Sequence, residues 1–452
     1  MNIIIVGCGM VGQTLAVALA EEGNDITVID TNAEVIREFT SNHDIMGIVG
    51  NGATRTVQKE AGVDGADLLI AVTDSDELNL LCCTIAKRAG KCKAIARVIN
   101  PIYHSEADYL KNELGLAMVI NPEFAAAEEI ARILRFPAAA KIETFAHGRV
   151  ELVKFRLPEH SKLVGMKVSD VVGTLGCDIM ICTIERESGD YIAKGSLVFE
   201  EKDFITLIAS PKNASDFFKK IDFKGTSIKD AVIIGATEIA DYLCTLLSRS
   251  GISFKIIDRD LKSCETLAAR LEDTVIINAN ERNHQVLTEE GVGKTDAFIA
   301  LSDHDEENIL TSLFVKSQGK AKIVTKISSP EYDEIAERLD LDTAIYPKLI
   351  TSDLIARFVR SLQNTQGSNV ETVYSIVKGK IEAAEFIIGE GSPVLDTPIS
   401  NLPFKNKNIL IAAILRDRKL ILPRGADRIL AQDSVIVVSD MLGAKDISDI
   451  IK

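Results

Sequence analysis

Asn2-Ile3-Ile4-Ile5-Val6-Gly7-Cys8-Gly9-Met10-Val11-Gly12 opens the chain. Its first five residues read as a short buried strand. Thr14 to Glu22 then carries the apolar spacing of a helix, through Leu15, Ala16, Leu19 and Ala20. Gly23 can stop that helix, and Ile26-Thr27-Val28-Ile29 is a second strand ending at Asp30. A G-x-G-x-x-G run between a strand and a helix, followed by an acid at the end of the next strand, is the pattern of a dinucleotide-binding turn. Gly7 permits the tight turn, Gly9 lets backbone N–H groups approach a pyrophosphate, and Gly12 allows close packing of helix on strand. The phosphates belong at the helix N-terminus, where free N–H groups and the helix dipole favour an anion. Asp30 would accept hydrogen bonds from ribose hydroxyls and repel a 2′-phosphate, which favours NAD over NADP. Gly7, Cys8, Gly9, Met10, Val11, Gly12 and Asp30 are therefore candidate cofactor-binding residues.

Composition narrows the setting. At 452 residues the chain is too long for one core. A 46% hydrophobic and 26% charged content is that of an ordinary globular protein. The net charge of −15 argues against a nucleic-acid partner, which would require a basic stripe. The eight cysteines are scattered, with no C-x-x-C, so neither a disulfide framework nor a zinc site of familiar spacing is expected, and a reducing cytosol fits. No metal site is expected. The opening residues are not expected to form a signal peptide, and no run approaches the length of a membrane span.

Strands and helices alternate as far as Ile120, which predicts a doubly wound parallel sheet. Ligands on such a sheet lie beyond the carboxyl ends of the strands. Asn51 and Gly52, Thr73 and Asp74, and Arg97 fall at three such ends. Glu123 to Leu134 is a further helix leaving the domain. Residues 150–210 read as a small α+β unit without a nucleotide motif, its Glu151-Leu152-Val153-Lys154-Phe155 an alternating strand. Lys212 to Thr226, polar and charged, reads as a linker.

The pattern then repeats. Gly235, Ala236, Thr237, Glu238, Ile239 and Asp258 align with Gly7 to Val11 and Asp30. Asn280 matches Asn51, Ser302 and Asp303 match Thr73 and Asp74, Lys326 matches Arg97, and Tyr346-Pro347 echoes Asn121-Pro122. A repeat this long is a tandem duplication rather than a solenoid. The expected fold is α/β: a tandem duplication of a Rossmann-like doubly wound parallel-sheet domain plus a small α+β subdomain. The expected bounds are 1–122, 140–222, 228–347 and 368–452.

The two copies differ. Thr237 stands where the first copy has Gly9, and its side chain occupies space that a pyrophosphate needs. Glu238 adds a negative charge, whereas Asp258, Ser302, Asp303 and Lys326 retain a ribose acceptor and a cation. Whether the second lobe binds a nucleotide stays open. Arg97 and Lys326 can neutralise phosphate or pair with a neighbouring Asp. Asp74-Ser75-Asp76-Glu77 reads as helix caps and first-turn acids rather than metal ligands. His43, His104 and His160 read as surface residues. Tyr374 and Lys378 share the Y-x-x-x-K spacing of short-chain dehydrogenases but fall on a strand, where the two side chains are too far apart to cooperate.

The arrangement resembles the RCK, or KTN, modules that gate potassium channels and transporters. The resemblance rests on residues 2–12, on Thr73-Asp74-x-Asp76-x-x-Asn79 and on Ala96-Arg97-Val98, and it spans essentially the whole chain. Two fused modules are similar to the cytosolic regulatory subunits of bacterial Trk potassium-uptake systems. That resemblance implies a ring, dimeric or tetrameric, peripheral on the inner face of the cell membrane. Its partner would be a potassium-translocating subunit of the TrkH/TrkG type. It implies that NAD(H), or ATP and ADP, bound in the Rossmann lobes alters the ring's shape and the pore's opening, without catalysis. The alternative is an NAD-dependent oxidoreductase, which needs a positioned acid or base beside the nicotinamide; no segment after Asn121 reads as a domain supplying one.

Overall fold

A strand of consecutive apolar residues cannot leave either face in water, so Asn2–Val6 becomes the centre of a sheet with its last four residues buried. The computed structural model describes residues 1–452 except 91, 137–138, 147, 159, 187, 222–227, 272–273, 340, 342, 365–369, 378–379 and 445.

The first lobe runs β1 (Asn2–Val6), α1 (Met10–Glu21), β2 (Asp25–Asp30), α2 (Ala33–Asn42), β3 (Met46–Val49), α3 (Arg55–Glu60), β4 (Leu68–Ala71), α4 (Asp76–Ala89), β5 (Lys93–Arg97), α5 (Pro101–Ser105), α6 (Ala107–Glu113), β6 (Met118–Ile120) and α7 (Pro122–Arg135). The first small unit holds β7 (Ala139–Phe145), β8 (Val150–Arg156), α8 (Val171–Leu175), β9 (Ile179–Arg186), β10 (Gly189–Ile192), β11 (Phe204–Ala209) and α9 (Pro211–Lys220). The second lobe repeats the first with β12 (Asp230–Ile234), α10 (Glu238–Ser250), β13 (Ser253–Asp258), α11 (Leu261–Ala268), β14 (Val275–Asn278), α12 (His284–Glu289), β15 (Ala297–Ala300), α13 (Asp305–Gln318), β16 (Lys322–Lys326), α14 (Asp333–Arg338), β17 (Ala344–Ile345) and α15 (Pro347–Asn364). The last unit comprises β18 (Val370–Val377), β19 (Ile381–Ile387), β20 (Ile409–Arg416), β21 (Lys419–Ile421) and β22 (Ser434–Ser439).

Each lobe is a six-stranded parallel sheet, in the orders β3-β2-β1-β4-β5-β6 and β14-β13-β12-β15-β16-β17. The strand order reverses at β1 and at β12, so the turns after those strands open into the crevice where such sheets bind ligands. The small units are five-stranded sheets, β10-β9-β11-β8-β7 and β18-β19-β22-β20-β21, with antiparallel pairing throughout the recorded ladders.

The chain packs like with like. One compact unit joins Met1–Leu134 to Ile228–Ala356, and the other joins Arg135–Ser227 to Arg357–Lys452. In the first unit, α7 leaves its own lobe and buries Ala126, Ala127, Ile130 and Leu134 against Ile239, Leu243 and Leu247 of α10. Ile130 is fully buried, so truncation to Ala costs about 2–5 kcal/mol. In the second unit, Phe145, Leu152 and Ile208 of one small sheet share a core with Tyr374, Ala383 and Val438 of the other. The Tyr374 hydroxyl donates to the Thr144 carbonyl at 2.9 Å and accepts from Arg357. Tyr374 is on β18, as its strand reading required, and Lys378 lies outside the described residues.

Four local expectations change. Helix α1 begins at Met10 rather than Thr14, because Gly9 itself takes the extended N-cap position and its carbonyl accepts from Gln13. Lys212–Thr226 is not a plain linker. Ser210 caps α9 by accepting from Asn213, Pro211 presets the first turn, and Ala214 and Phe217 are buried; the lysines on the outer face hide this in the sequence. Residues 222–226 lie outside the described residues. Strand β7 (Ala139–Phe145) has no counterpart in the sequence reading, which places no strand before Val150 in this unit. Strand β8 does not alternate, because Val153 and Phe155 enter one core while Val150 and Leu152 enter another.

Candidate functional site

The glycine turn is shaped by what a side chain would strike. Gly7 sits at φ +105°, and a Cβ there would lie 3.1 Å from the backbone of Val72 and Thr73. A Cβ on Gly12 would lie 1.9 Å from the Gly7 carbonyl oxygen, so α1 can press on the turn only without one. Gly9 has nothing within 4 Å on its Cβ side; this is the open face of the turn. Asp30 ties the turn to β2. One carboxylate oxygen accepts from the Cys8 amide at 2.7 Å and the other from the Asn32 amide at 2.8 Å. Cys8 is buried behind the turn, and burial, helped by Asp30, pushes its thiol up to about 11, which leaves it protonated and unreactive.

The neighbouring strand ends are held by a buried amide. Asn79 Oδ1 accepts from the Thr73 amide and hydroxyl, and Nδ2 donates to the carbonyls of Thr73 and Arg97 at 3.0 Å each. Asp76 accepts from the amides of Ile99 and Asn100, so it closes the turn after β5. Ser75 caps α4 through Leu78. No group of three or more potential metal ligands occurs among the described residues. Arg97 donates to the Thr73 carbonyl at 3.1 Å and to Asp74 at 3.3 Å, with the Asp74 side chain fully exposed.

Two hollows flank the turn. The first, of about 250 Å³, is lined by Gly7, Ile29, Asp30, Asn51, Gly52, Thr73 and Leu78. The second, also about 250 Å³, lies between the two lobes; Gly9, Met10, Val11, Asp74 and Arg97 meet Glu123, Lys326 and Lys348 there. Gly9, Val72 and Asp74 border both, so a ligand lying along the turn can enter each. Burial holds the Glu123 carboxyl above its ordinary range, with Lys326 opposing the shift. Gly12 is packed into the fold, and Met10 and Val11 face the second hollow.

The second lobe keeps the frame and changes the lining. Asp258 accepts from the amides of Ala236 and Asp260 at 2.6 and 2.7 Å, and Asn308 holds Ser302 and the Lys326 carbonyl as Asn79 holds Thr73 and Arg97. Asn280 accepts from the Arg282 amide as Asn51 does from Ala53. The cleft of about 340 Å³ is bordered by Thr237, Arg259 and five acids, Glu238, Asp258, Asp260, Glu281 and Asp303. Glu281, where the first lobe has Gly52, is 3% exposed and lies 3.7 Å from Arg259; Arg259 and Arg282 both pair with Glu307. The space that is open around Thr31, Gly52 and Leu78 is spanned here by the protein's own ion pairs. Ile239 belongs to the core against α7, and Gly235 underlies the turn at φ +95°. The Lys326 side chain, paired with Asp303 at 2.9 Å, faces the hollow between the lobes.

Family models match in the order of the duplication. The TrkA-N domain matches residues 3–122 and 231–347, and the TrkA-C domain matches 152–222 and 383–451. The chain belongs to the TrkA family. The Trk system potassium uptake protein TrkA homolog of Archaeoglobus fulgidus is 30% identical over 97% of both chains. The Trk system potassium uptake protein TrkA of Halomonas elongata is 30% identical, over 97% of this chain and 94% of its own. The structure described as "GsuK channel bound to NAD" matches with a TM-score of 0.64 at 14% identity, covering 97% of this chain and 77% of that one.

In this TrkA-family chain the sequence reading missed three contributors to the site, Asn79, Glu123 and Lys348, and misplaced a fourth residue, His104. Asn79 belongs to the Thr73-Asp74-x-Asp76-x-x-Asn79 run, but nothing in its spacing marks it as the clamp of two strand ends. Glu123 and Lys348 were not singled out, although aligning Asn121-Pro122 with Tyr346-Pro347 sets one opposite the other with inverted charge. His104, read as a surface residue, is wedged against Phe124 and Tyr242 with ring centroids 4.7 and 5.4 Å away.

Proposed function

We propose that this protein is a regulatory subunit that binds one adenine nucleotide or NAD(H) per chain in its first lobe and thereby gates a membrane potassium-uptake transporter. The observation that carries this reading is the contrast between the clefts. The first has an open glycine turn beside Asp30, whereas the second is bordered by five acids and crossed by the Arg259–Glu281 and Arg259–Glu307 pairs. A phosphate needs fixed N–H groups and available cations, and the cation at the second cleft, Arg259, is already committed to Glu281 and Glu307. Family membership and a likeness to a channel described as bound to NAD support the ligand class. The nucleotide would act by population shift, since it can change a pore only through unequal affinity for two shapes of the assembly.

The partner is a pore subunit of the TrkH/TrkG type, reached from the cytoplasmic face of the membrane. No helix among the described residues is long and apolar enough to cross a membrane. Ring formation is supported by apolar side chains left exposed at matching places, Leu81 on α4 and Leu310 on α13, at 50% and 66%.

Calorimetric titration of the full chain with NADH, NAD, ATP and ADP tests the reading. One site per chain, lost on Asp30→Ala, is the expected result, with no consumption of NADH in the presence of small carbonyl compounds. Two equivalent sites, or steady NADH oxidation abolished by a change in the cleft, would overturn it.

A further inference from the structure

We infer that the second lobe carries a built-in substitute for a ligand: Arg259, Glu281, Arg282 and Glu307 bridge its cleft where the first lobe leaves room for an adenosine, and the bridge holds that lobe rigid and indifferent to nucleotide. This rests on the reading that only the first lobe takes a nucleotide.

Four positions change together between the copies. Thr31, Gly52, Ala53 and Leu78 of the first lobe stand opposite Arg259, Glu281, Arg282 and Glu307. None of the first four can form an ion pair, and three of them line the open hollow of about 250 Å³. The second four are two arginines and two glutamates, so the exchange adds no net charge. Unrelated surface changes have no reason to balance in this way or to meet at one point. These four meet. Arg259 Nε lies 3.7 Å from Glu281 Oε1, its Nη1 lies 3.7 Å from Glu307 Oε2, and Arg282 donates to Glu307 Oε1. Asp258 and Asp260 accept from backbone amides instead.

The four side chains come from three elements. Arg259 follows β13, Glu281 and Arg282 follow β14, and Glu307 lies in the first turn of α13. A nucleotide in the first lobe's hollow would touch the matching three places. The pairs are not loose surface contacts. Glu281 is 3% exposed and the Glu307 side chain 16%, and Oε2 of each is buried without a hydrogen bond. A buried carboxylate held in this way depends on its cation, because loss of the cation leaves the charge uncompensated. Arg259 serves both acids, so the bridge depends on it. The ends of β13, β14 and α13 are thus joined without a ligand, whereas the first lobe's equivalents are joined only when the hollow is filled. A nucleotide then stiffens one lobe of each chain against a partner that is already stiff.

Hydrogen exchange of the full chain, with and without ADP, tests this. In the ligand-free wild type, residues 279–284 and 305–309 are expected to exchange at least about fivefold more slowly than 50–55 and 76–80, after correction for intrinsic rates. ADP should slow the first-lobe segments to a similar degree and leave those of the second lobe unchanged. Arg259→Ala should speed exchange in the second-lobe segments about tenfold and spare the first lobe. The wild-type comparison keeps the test alive should that variant fail to fold. Equal protection of the two lobes without ligand, or no effect of Arg259→Ala on the second cleft, would overturn the bridge and leave the first-lobe site standing. Failure of ADP to slow the first lobe, or slowing that is indifferent to Asp30→Ala, would overturn the one-site reading instead. Slowing of the second-lobe segments by ADP would overturn both.

Discussion

The Cys8 amide donates to Asp30 across 2.7 Å, and the same bond recurs between Ala236 and Asp258 at 2.6 Å. The acid at the end of the second strand thus fixes the glycine turn before any ligand arrives, which makes the cradle pre-formed. Asp30→Ala removes the turn's anchor and, on the proposed reading, a ribose acceptor. NAD(H) affinity should fall by about 1–3 kcal/mol, the range for buried polar groups left unpaired. Calorimetry with NADH measures it; an unchanged affinity contradicts the assignment.

Asn79 and Asn308 each join two strand ends through one side chain. Replacing either by Ala strands the amide of Thr73 or Ser302 in the fold. Each change should cost about 2–3 kcal/mol in chemical denaturation. Because the networks match, the two losses should agree closely; a loss confined to one copy would show that the frames are not equivalent.

His104 gives a pH dependence of defined sign. Burial against Phe124 and Tyr242 holds its pKa below the ordinary 6.5, so the folded state favours the neutral ring. The unfolded chain takes up the proton first as pH falls. The contribution is complete above about pH 6.5 and is lost as pH drops through the folded value. His104→Gln should flatten the melting temperature against pH in that acidic window, and an unchanged slope would remove His104 as its source.

Leu81 and Leu310 test self-association. Leu81→Asp with Leu310→Asp puts a charge at two exposed apolar positions where a monomer loses little by the change. Light scattering should show the assembly reduced toward single chains, with the melting temperature nearly unchanged. An intact assembly would place the contact elsewhere.

Much of the fold was legible because its signals are local. The glycine turn between β1 and α1, the acid ending β2 and the alternation of strand and helix depend on neighbours within a few residues. Errors fell where local composition misled. The lysines of α9 masked an amphipathic helix, and β8 showed an alternating pattern although both its faces are buried.

The sequence by itself determined that two Rossmann lobes and two small α+β units follow one another, and that the second glycine turn is degenerate. Only the tertiary structure decided that lobe packs with lobe, that Arg259, Glu281 and Glu307 pair across the second cleft, and that Glu123 and Lys348 reach the hollow between the lobes. Turn and strand chemistry acts along the chain, where spacing records it. Burial of α7 against the other lobe is a contact between distant segments, and it brings charges together that no spacing connects.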